Sequence, residues 1–475
     1  MILRIRLQFP PMETPDITTA YEAALEALYA LINFERQRLD RYTESKLDPE
    51  RSQKLVDYLG APQTQFPSIH IAGTKGKGSV AALCAYSLRA AGLRVGLYTS
   101  PHLQEFRERI RILTPDDADG RISQADFVDR MAEVQAALDH VPGVTWFEAV
   151  TAVSLLHFAH QQVDIAVIET GLGGRLDATR VVNPLVCAIT SLSLDHTELL
   201  GNTLAEIAYE KAGIIKPGVP VVCAPQVPEA EARLREIAAQ RGSPISFVGD
   251  PWLYSAAPRQ SGEPQQLVIE RSADEAFIPS GSVFPLALRG DHQIENGAVA
   301  LAALSLVRGR FPQVDEMAAR LGLGGVEWNG RLQTVHPGDD HTPALLVDCA
   351  HNPDSIGRLC HALAQDFSYQ RLILIFGAPA DKDTANMLKQ IVPLADAIIA
   401  TSANHPRSAP PAELAAQVRA LGSQAITTAD LGEALTRAWA LAQPGDLICA
   451  TGSIIVVGDL LNQWESLQSR LTVNG

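Results

Sequence analysis

No Cys-x-x-Cys pair occurs in this sequence. Its six cysteines, Cys84, Cys187, Cys223, Cys349, Cys360 and Cys449, are scattered, and most sit in apolar runs. That spacing argues against a zinc site or a disulfide framework and predicts buried thiols in a reducing compartment. The chain also lacks any apolar run of the ~18 residues that a membrane span needs. Residues 1–11 hold two arginines and a few aliphatics, without the apolar core of a signal peptide, and read as an untidy extension. Basic charge is not in excess: 54 acidic against 39 basic side chains leave a formal charge of -15. Such a balance argues against a nucleic-acid partner or an anionic membrane surface. The expectation is a soluble, cytoplasmic protein, and 475 residues suffice for two or three domains with their own cores.

What is present is organised around residues 68–80. The apolar, strand-like run Ser68-Ile-His-Ile-Ala72 ends in Gly73-Thr74-Lys75-Gly76-Lys77-Gly78-Ser79, and a helical pattern follows over 80–91. Strand, glycine-rich turn and helix build a phosphate cradle, because the glycines let backbone N–H groups converge on one anion and the helix dipole favours it. Lys77 is expected on the β/γ-phosphates and Ser79 at the rim. The spacing departs from Gly-x4-Gly-Lys-Ser/Thr: Ile71 stands at the first glycine position, and Gly78 separates Lys77 from the hydroxyl. The bland alternative is a surface Gly/Lys turn, against which the flanking strand and helix weigh.

Around this cradle the chain reads as follows. Apolar residues at helical spacing predict an amphipathic helix over 18–39, and a second helical pattern runs to Leu59. A strand over 93–98 delivers Thr99-Ser100-Pro101-His102 to the same sheet end as the cradle. Ser100 there is either a turn residue before proline or a metal ligand. A buried strand over 164–169 ends in Glu169, where a carboxylate can hold Mg²⁺ against phosphates. The following Gly171-x-Gly173-Gly174 lacks the Gly-x-Gly-x-x-Gly spacing of a dinucleotide site and reads as a substrate-facing loop. Strand 185–190 leads to Asp195-His196, whose imidazole is either structural or part of the site. Thr203-Leu-Ala-Glu206 forms a capping box for a helix bearing Lys211, which by itself fits a solvated face, and a short strand follows over 220–223. Residues 250–290 read as a small β-rich insertion, 294–310 as a helix, and 322–330 as a glycine-rich linker. From Ala344 a second series of strands (344–349, 371–376, 397–401, 424–427, 446–450) alternates with helices, which predicts a parallel, doubly wound sheet. Its strand ends carry Asp348, His351-Asn352, Asp381-Lys382-Asp383 and His405-Pro406-Arg407.

These residues together resemble the folylpolyglutamate synthase/dihydrofolate synthase family of the Mur ligase superfamily. The matching stretches are His70-Ile-Ala-Gly-Thr-Lys-Gly-Lys-Gly-Ser79, Tyr98-Thr-Ser-Pro-His-Leu103 and Glu169-Thr-Gly-Leu-Gly-Gly-Arg-Leu-Asp-Ala178. Asp195-His196, Glu210-Lys-Ala-Gly-Ile214, Gly330-Arg-Leu332, Asp348-Cys-Ala-His-Asn-Pro353, Ala380-Asp-Lys-Asp383 and Thr451-Gly-Ser453 follow in the family's order. The resemblance implies an α/β fold: a P-loop ATPase domain with a parallel central sheet over 1–325, and a smaller Rossmann-like domain over 326–475. It implies that Gly73, Thr74, Lys75, Gly76, Lys77, Gly78 and Ser79 hold the triphosphate of ATP. Asn296, Arg331 and Asp348 would contact ATP as well. Ser100, Glu169 and His196 would bind or support Mg²⁺, with two ions expected, and Lys211 falls where the family carries a carbamylated lysine, a further anionic ligand. Thr145, Trp146, Phe147 and Glu148, with Leu176, Asp177 and Ala178, would face the pterin. Cys349 departs from the glycine expected there.

The implied reaction is ATP-dependent ligation of L-glutamate to a folate, and to dihydropteroate, through an acyl phosphate. Lys77 and Lys211 would serve the chemistry, His351 or Asp348 would assist the incoming amine or hold a strand end, and a monomer is expected. Three rivals stand beside this reading: a ligase of another amino-acid polymer, a P-loop kinase or nucleotide switch, and an inactive nucleotide-binding module.

Overall fold

The computed structural model describes residues 16–34, 47–259 and 263–473. Helix Ile17–Tyr29 occupies the first amphipathic pattern; the extension at 1–11 and the end of the helix expected to 39 lie outside the described residues.

Ten strands form the first sheet among the described residues, in the spatial order Ser282–Leu286, Gln265–Arg271, Pro251–Ala256, Ile245–Val248, Val221–Cys223, Pro184–Ile189, Ser68–Ala72, Ile165–Glu169, Val95–Tyr98 and Ile110–Leu113. The central strands run parallel and are apolar on both faces, since helices cover both sides. Ser68–Ala72 lies at the middle, where the chain order reverses, and this is where an open α/β sheet opens a crevice. Register fixes what meets there. Ile71 pairs with Glu169, Ala72 with Ile189, and Tyr98 with Ile168. The glycine loop, Glu169, Thr190 and the turn after Tyr98 therefore leave the sheet at one level.

Six strands form the second sheet in the order Gln333–His336, Ala344–Val347, Leu447–Thr451, Leu372–Phe376, Ala397–Ala400 and Ile426–Thr427, parallel except for the first. Separate apolar clusters pack its two faces. The alternation of strand and helix expected here is what is found.

The stretch read as a linker at 322–330 needs correction. Its first residues end a helix, Glu316–Gly324, that packs on the glycine-loop helix Lys77–Ala90. Gly322 is small because a Cβ there would sit 2.3 Å from the Cα of Ser87. The glycine marks a helix contact, not chain flexibility. The β-rich segment at 250–290 is present as three strands, but they extend the first sheet instead of forming a separate insertion. Edge strands Ile110–Leu113 and Gln333–His336 run antiparallel and carry no strong pattern in the sequence.

The two sheets meet across a cleft, joined by polar contacts. Asp195, from the first unit, accepts from Lys75 Nζ at 2.9 Å and from Asn352 Nδ2 of the second unit at 3.2 Å, with Lys382 Nζ at 3.9 Å. Burial alone would raise the Asp195 pKa, but Lys75, with His196 and Lys382, holds it well below the usual carboxylate range. Arg358 donates to Ser191 at 3.4 Å, Gln104 donates to Asn462 at 2.9 Å, and Arg259 pairs with Asp366 far from the crevice.

Two outcomes are expected. Gly322→Ala destabilises the first unit by about 1–3 kcal/mol, because backbone at Ser87 cannot yield as a side-chain tip would; chemical denaturation measures this. Asp195→Ala leaves Lys75, a half-buried cation, without its carboxylate, and costs about 3 kcal/mol with faster amide exchange over 73–79 and 348–352.

Candidate active site

Gly73 leaves the central strand with φ 153°, and a Cβ on it would meet Thr190 Oγ1 at 1.8 Å. The N–H groups of Thr74 and Lys75 donate to the Ser191 carbonyl at 3.0 and 3.2 Å, which pins the loop to the neighbouring strand end. Gly76 turns left-handed at φ 86° and caps the helix Lys77–Ala90, so Lys77, Gly78 and Ser79 are its first turn. The helix begins three residues earlier than its apolar pattern. The unsatisfied N–H groups of that first turn open into the cleft, which is the arrangement an anion selects. The non-standard spacing is thereby explained: Ile71 stays in the buried strand, and Gly73 with Gly76 make the turn.

A cavity of about 840 Å³ lies between the units and reaches from this loop in two directions. Towards the helix Asp291–Val307 it is lined by His292, Gln293 and Asn296. Gln293 Nε2 donates to Ser79 Oγ at 3.3 Å, and Asn296 Nδ2 donates to Gln293 Oε1 at 2.9 Å, while the Asn296 amide abuts Gly76. Arg331 and Asp348 face this part from the second unit. The Asp348 carboxylate accepts from the N–H of Leu332 and of Ala350, both at 2.9 Å. Burial raises its pKa, and Arg331 opposes that. Gln293 was not picked out by sequence, since a helical glutamine carries no local signal.

At the centre sit the carboxylate and the lysines. Glu169 is buried, 3.7 Å from Lys77 Nζ, and accepts from the Ser100 N–H at 3.2 Å. Burial raises its pKa despite Lys77 and Arg331. Among the described residues no three His, Cys, Asp or Glu side chains converge on one point. One buried carboxylate in a cavity also lined by Ser79 and Ser100 fits a Mg²⁺ that arrives on phosphates, since Mg²⁺ is usually held by one or two carboxylates plus phosphate and water. His196 is half-exposed, left-handed at φ 50°, and its Nε2 lies 3.9 Å from Asp195. The motif Asp195-His196 draws attention to the imidazole, whereas the less exposed, multiply bonded partner is Asp195. Lys211 is buried and donates to the Gly73 carbonyl at 2.8 Å. Burial, with Lys77 adding, pushes its amine down to about 7. The solvated-face alternative for Lys211 is thus excluded. Arg175 holds the helix that carries it, pairing with Glu210 at 3.1 Å.

His351 lines the cavity beside Lys75, and its Nδ1 lies 2.9 Å from the Cys349 carbonyl. A carbonyl only accepts, so Nδ1 carries the proton and Nε2 is a lone-pair acceptor. Burial, with Lys75 adding, pushes its pKa down to about 3. Cys349 packs its sulfur against Gly330.

The other arm of the cavity is aromatic. Tyr29 stacks on Trp146 at 5.9 Å, and Tyr98 and Phe147 lie 6.2 Å apart. Phe147 covers Gly171, where a Cβ would come within 2.5 Å of the ring. Leu176 and Ala178 add apolar wall. Thr145 and Glu148 cap the helix Trp146–His160 reciprocally. The Glu148 carboxylate also accepts from Arg51 Nε at 2.8 Å and Ser52 Oγ at 3.2 Å. Asp177 accepts from the N–H groups of Gly171, Leu172 and Thr179 at 2.9–3.0 Å. Both acids therefore border the cavity but spend their oxygens on shaping its wall.

Residues 71–304 match the Mur ligase middle domain, and 330–454 match the glutamate ligase domain of the Mur ligases. The chain is 37% identical over 363 residues to dihydrofolate synthase/folylpolyglutamate synthase of Bacillus subtilis, covering 75% of this chain and 81% of that one. To the Mycobacterium tuberculosis protein of that name it is 33% identical over 469 residues, covering 92% and 93%. The structure of Mycobacterium tuberculosis folylpolyglutamate synthase complexed with ADP superposes with a TM-score of 0.79 at 30% identity, over 96% of this chain and 99% of that chain. E. coli FolC in complex with DHPP and ADP gives 0.78 at 27% identity, over 96% and 100%. With both ligase domains matched in order, over a chain that spans most of its relatives' length, this protein belongs to the folylpolyglutamate synthase/dihydrofolate synthase family of Mur ligases.

Proposed function

We propose that this chain is an ATP-dependent ligase that joins L-glutamate to a folate, and to dihydropteroate, working as a cytoplasmic monomer. The observation that carries this reading is one cavity with three chemically distinct walls. A phosphate cradle with Lys77 forms its floor, an aromatic arm suits a flat heterocycle, and a second unit brings Arg331, Asp348 and His351 to the opposite side. A kinase or nucleotide switch has no need of that third wall. We divide the chain functionally at 325/326, before the strand Gln333–His336 that opens the second sheet.

A carboxylate at neutral pH is a poor electrophile, so the substrate acid first attacks the γ-phosphate of ATP, forming an acyl phosphate and ADP. The glutamate amine then attacks that carbonyl and phosphate leaves. Gly73 to Ser79 hold the triphosphate with backbone N–H groups, Lys77 neutralises charge on the β/γ-oxygens, and Asn296, Arg331 and Asp348 fix the nucleotide. Glu169, with Ser100, His196 and a carbamylated Lys211 around it, would hold Mg²⁺, which supplies charge neutralisation on the phosphates when bound. His351, whose Nε2 is left as a lone-pair acceptor, accepts a hydrogen bond that orients the incoming glutamate amine, and the proton that the amine sheds leaves with the phosphate. The contacts around Asp195 close the second unit over the loop and exclude water from the acyl phosphate. Trp146, Phe147, Leu176 and Ala178 grip the pterin, and Thr145, Glu148 and Asp177 keep that wall in shape.

A Lys211 amine with a pKa of about 7 is free base above pH 7, the form whose nitrogen bonds the carbon of CO₂, with the proton released to solvent. Carbamate occupancy is thus expected to rise from pH 6 to 8 and to fall in bicarbonate-free buffer, read by ¹³C NMR with labelled bicarbonate; an unlabelled Lys211 at pH 8 refutes it. For the reaction, ADP release is measured with MgATP and L-glutamate, adding dihydropteroate or tetrahydrofolate separately. Turnover in both is expected, with Lys77→Ala slower by on the order of a hundredfold or more. ADP release that needs neither pterin nor glutamate would favour the kinase or switch reading.

A further inference from the structure

His70 stands in the central strand three residues before Gly73, and its side chain has no part in the roles assigned above. It is fully buried. Its neighbours Ile69 and Ile71 belong to the apolar core shared with the helix Lys77–Ala90. Successive strand residues point to opposite faces, so His70 points to the other face of the sheet. There it meets the turn Ala178–Val181, which closes the loop that follows Glu169. His70 Nε2 lies 2.8 Å from Thr179 Oγ1, and Thr179 Oγ1 lies 2.5 Å from Asp177 Oδ1.

The order of protons along this chain follows from the groups that can only donate. Asp177 takes the N–H groups of Gly171 and Leu172 on one oxygen and the N–H of Thr179 on the other. Burial raises the Asp177 pKa, but these donors and the Thr179 hydroxyl oppose it and favour the carboxylate. The hydroxyl proton of Thr179 therefore points to Asp177, and its oxygen accepts from His70. Burial, with Lys216 adding, pushes the His70 pKa down to about 3, so the ring is neutral and holds one proton. On Nε2 that proton is bonded to Thr179. On Nδ1, which has no hydrogen-bond partner, it would be a buried donor left unmade, the costlier arrangement. Each bond thus runs one way, from the Nε2–H of His70 through the Thr179 hydroxyl to the Asp177 carboxylate.

The Asp177 carboxylate folds the loop 171–178 back on itself, and Gly171, Leu172 and Leu176 of that loop line the cavity. Lys216 holds the same turn from its next residue, donating to the Arg180 carbonyl at 2.6 Å. The phosphate loop leaves the strand that carries His70, so one rigid element bears both the nucleotide floor and the wall of the aromatic arm. We propose that His70 is a positioning residue for the pterin-bearing substrate: through Thr179 and Asp177 it holds the loop 171–178 in place beside the aromatic arm. His70 touches no substrate. Only the identity of the arm's occupant rests on the ligase reading; the proton order and the anchoring of the loop do not.

Three readouts test it. The first is the ¹⁵N shifts of histidine-labelled wild-type protein, with His70 assigned by its absence in His70→Gln. A protonated Nε2 and a bare Nδ1 are expected, and a proton on Nδ1 overturns the proposal. The second is amide exchange of Gly171, Leu172 and Thr179 without substrate. His70→Leu and Thr179→Val are each expected to quicken it on the order of tenfold, with 73–79 unchanged; unaltered exchange at the three amides overturns the proposal. The third is steady-state kinetics. Both variants are expected to raise the pterin-substrate KM on the order of tenfold, while the KM for MgATP stays within about twofold. An equal rise in both constants overturns the proposal, because a general loosening of the strand would disturb the phosphate loop too. The double variant is expected to exceed either single one by less than about twofold, and additive effects overturn the shared chain. His70→Gln keeps an N–H donor and Thr179→Ser keeps the hydroxyl, so both retain most of the wild-type KM; failure equal to that of His70→Leu and Thr179→Val overturns the proposal. Should His70→Leu not fold, Thr179→Val and Thr179→Ser are compared in the same three readouts. The expected tautomer and exchange without pterin-dependent turnover would fail the ligase reading and leave the anchoring of the loop standing.

Discussion

The structure depends on one turn that takes the chain from the central strand into the helix Lys77–Ala90. Gly73 and Gly76 make it at φ values that side chains rarely adopt, and Thr190 and Asn296 press against the places where Cβ atoms would be. Several backbone donors are thereby aimed at one point without an acceptor of their own. Such a turn is stable only if its neighbours hold it, which the Ser191 carbonyl and the Lys75–Asp195 pair do. Because Asp195 also accepts from Asn352, the same contact that braces the loop connects it to the second unit. Phosphate binding and the spacing of the two units are thus one mechanical problem.

Charge in the cleft follows from that. Lys75, Lys77, Lys211 and Arg331 crowd a region whose carboxylates are Glu169, Asp195 and Asp348, and burial penalises both signs. Asp195 answers it by taking several donors. Lys211 answers it by losing proton affinity. Glu169 remains under-compensated, with a raised pKa, and so is the group in most need of a cation. The aromatic arm is arranged differently: its acids, Glu148 and Asp177, are saturated by nearby backbone N–H groups and by Arg51.

Much of this was legible in the residues in order. Glycine spacing, apolar runs and capping signals locate the phosphate loop, the strand bearing Glu169, the capping box at Thr203 and the strand–helix alternation after Ala344, because each is a local property of a few consecutive side chains. Gly322 misleads for the same reason, since a glycine that admits a neighbouring helix looks like one that loosens a chain. Asp195 and His196 lie side by side in one motif, and nothing local says that the aspartate turns inward to Lys75 and Asn352.

The nucleotide loop, the two-unit α/β architecture and the family are all readable from the order of residues, since motif order and periodicity are written along the chain. Which residue of each motif turns inward was set by the folded arrangement. It turned Glu148 and Asp177 into scaffolding, brought Lys211 under the loop, and set the proton of His351 through the Cys349 carbonyl. The physical reason is that burial, hydrogen-bond direction and proton position are properties of what meets in space, and the groups that meet here come from segments far apart in the chain.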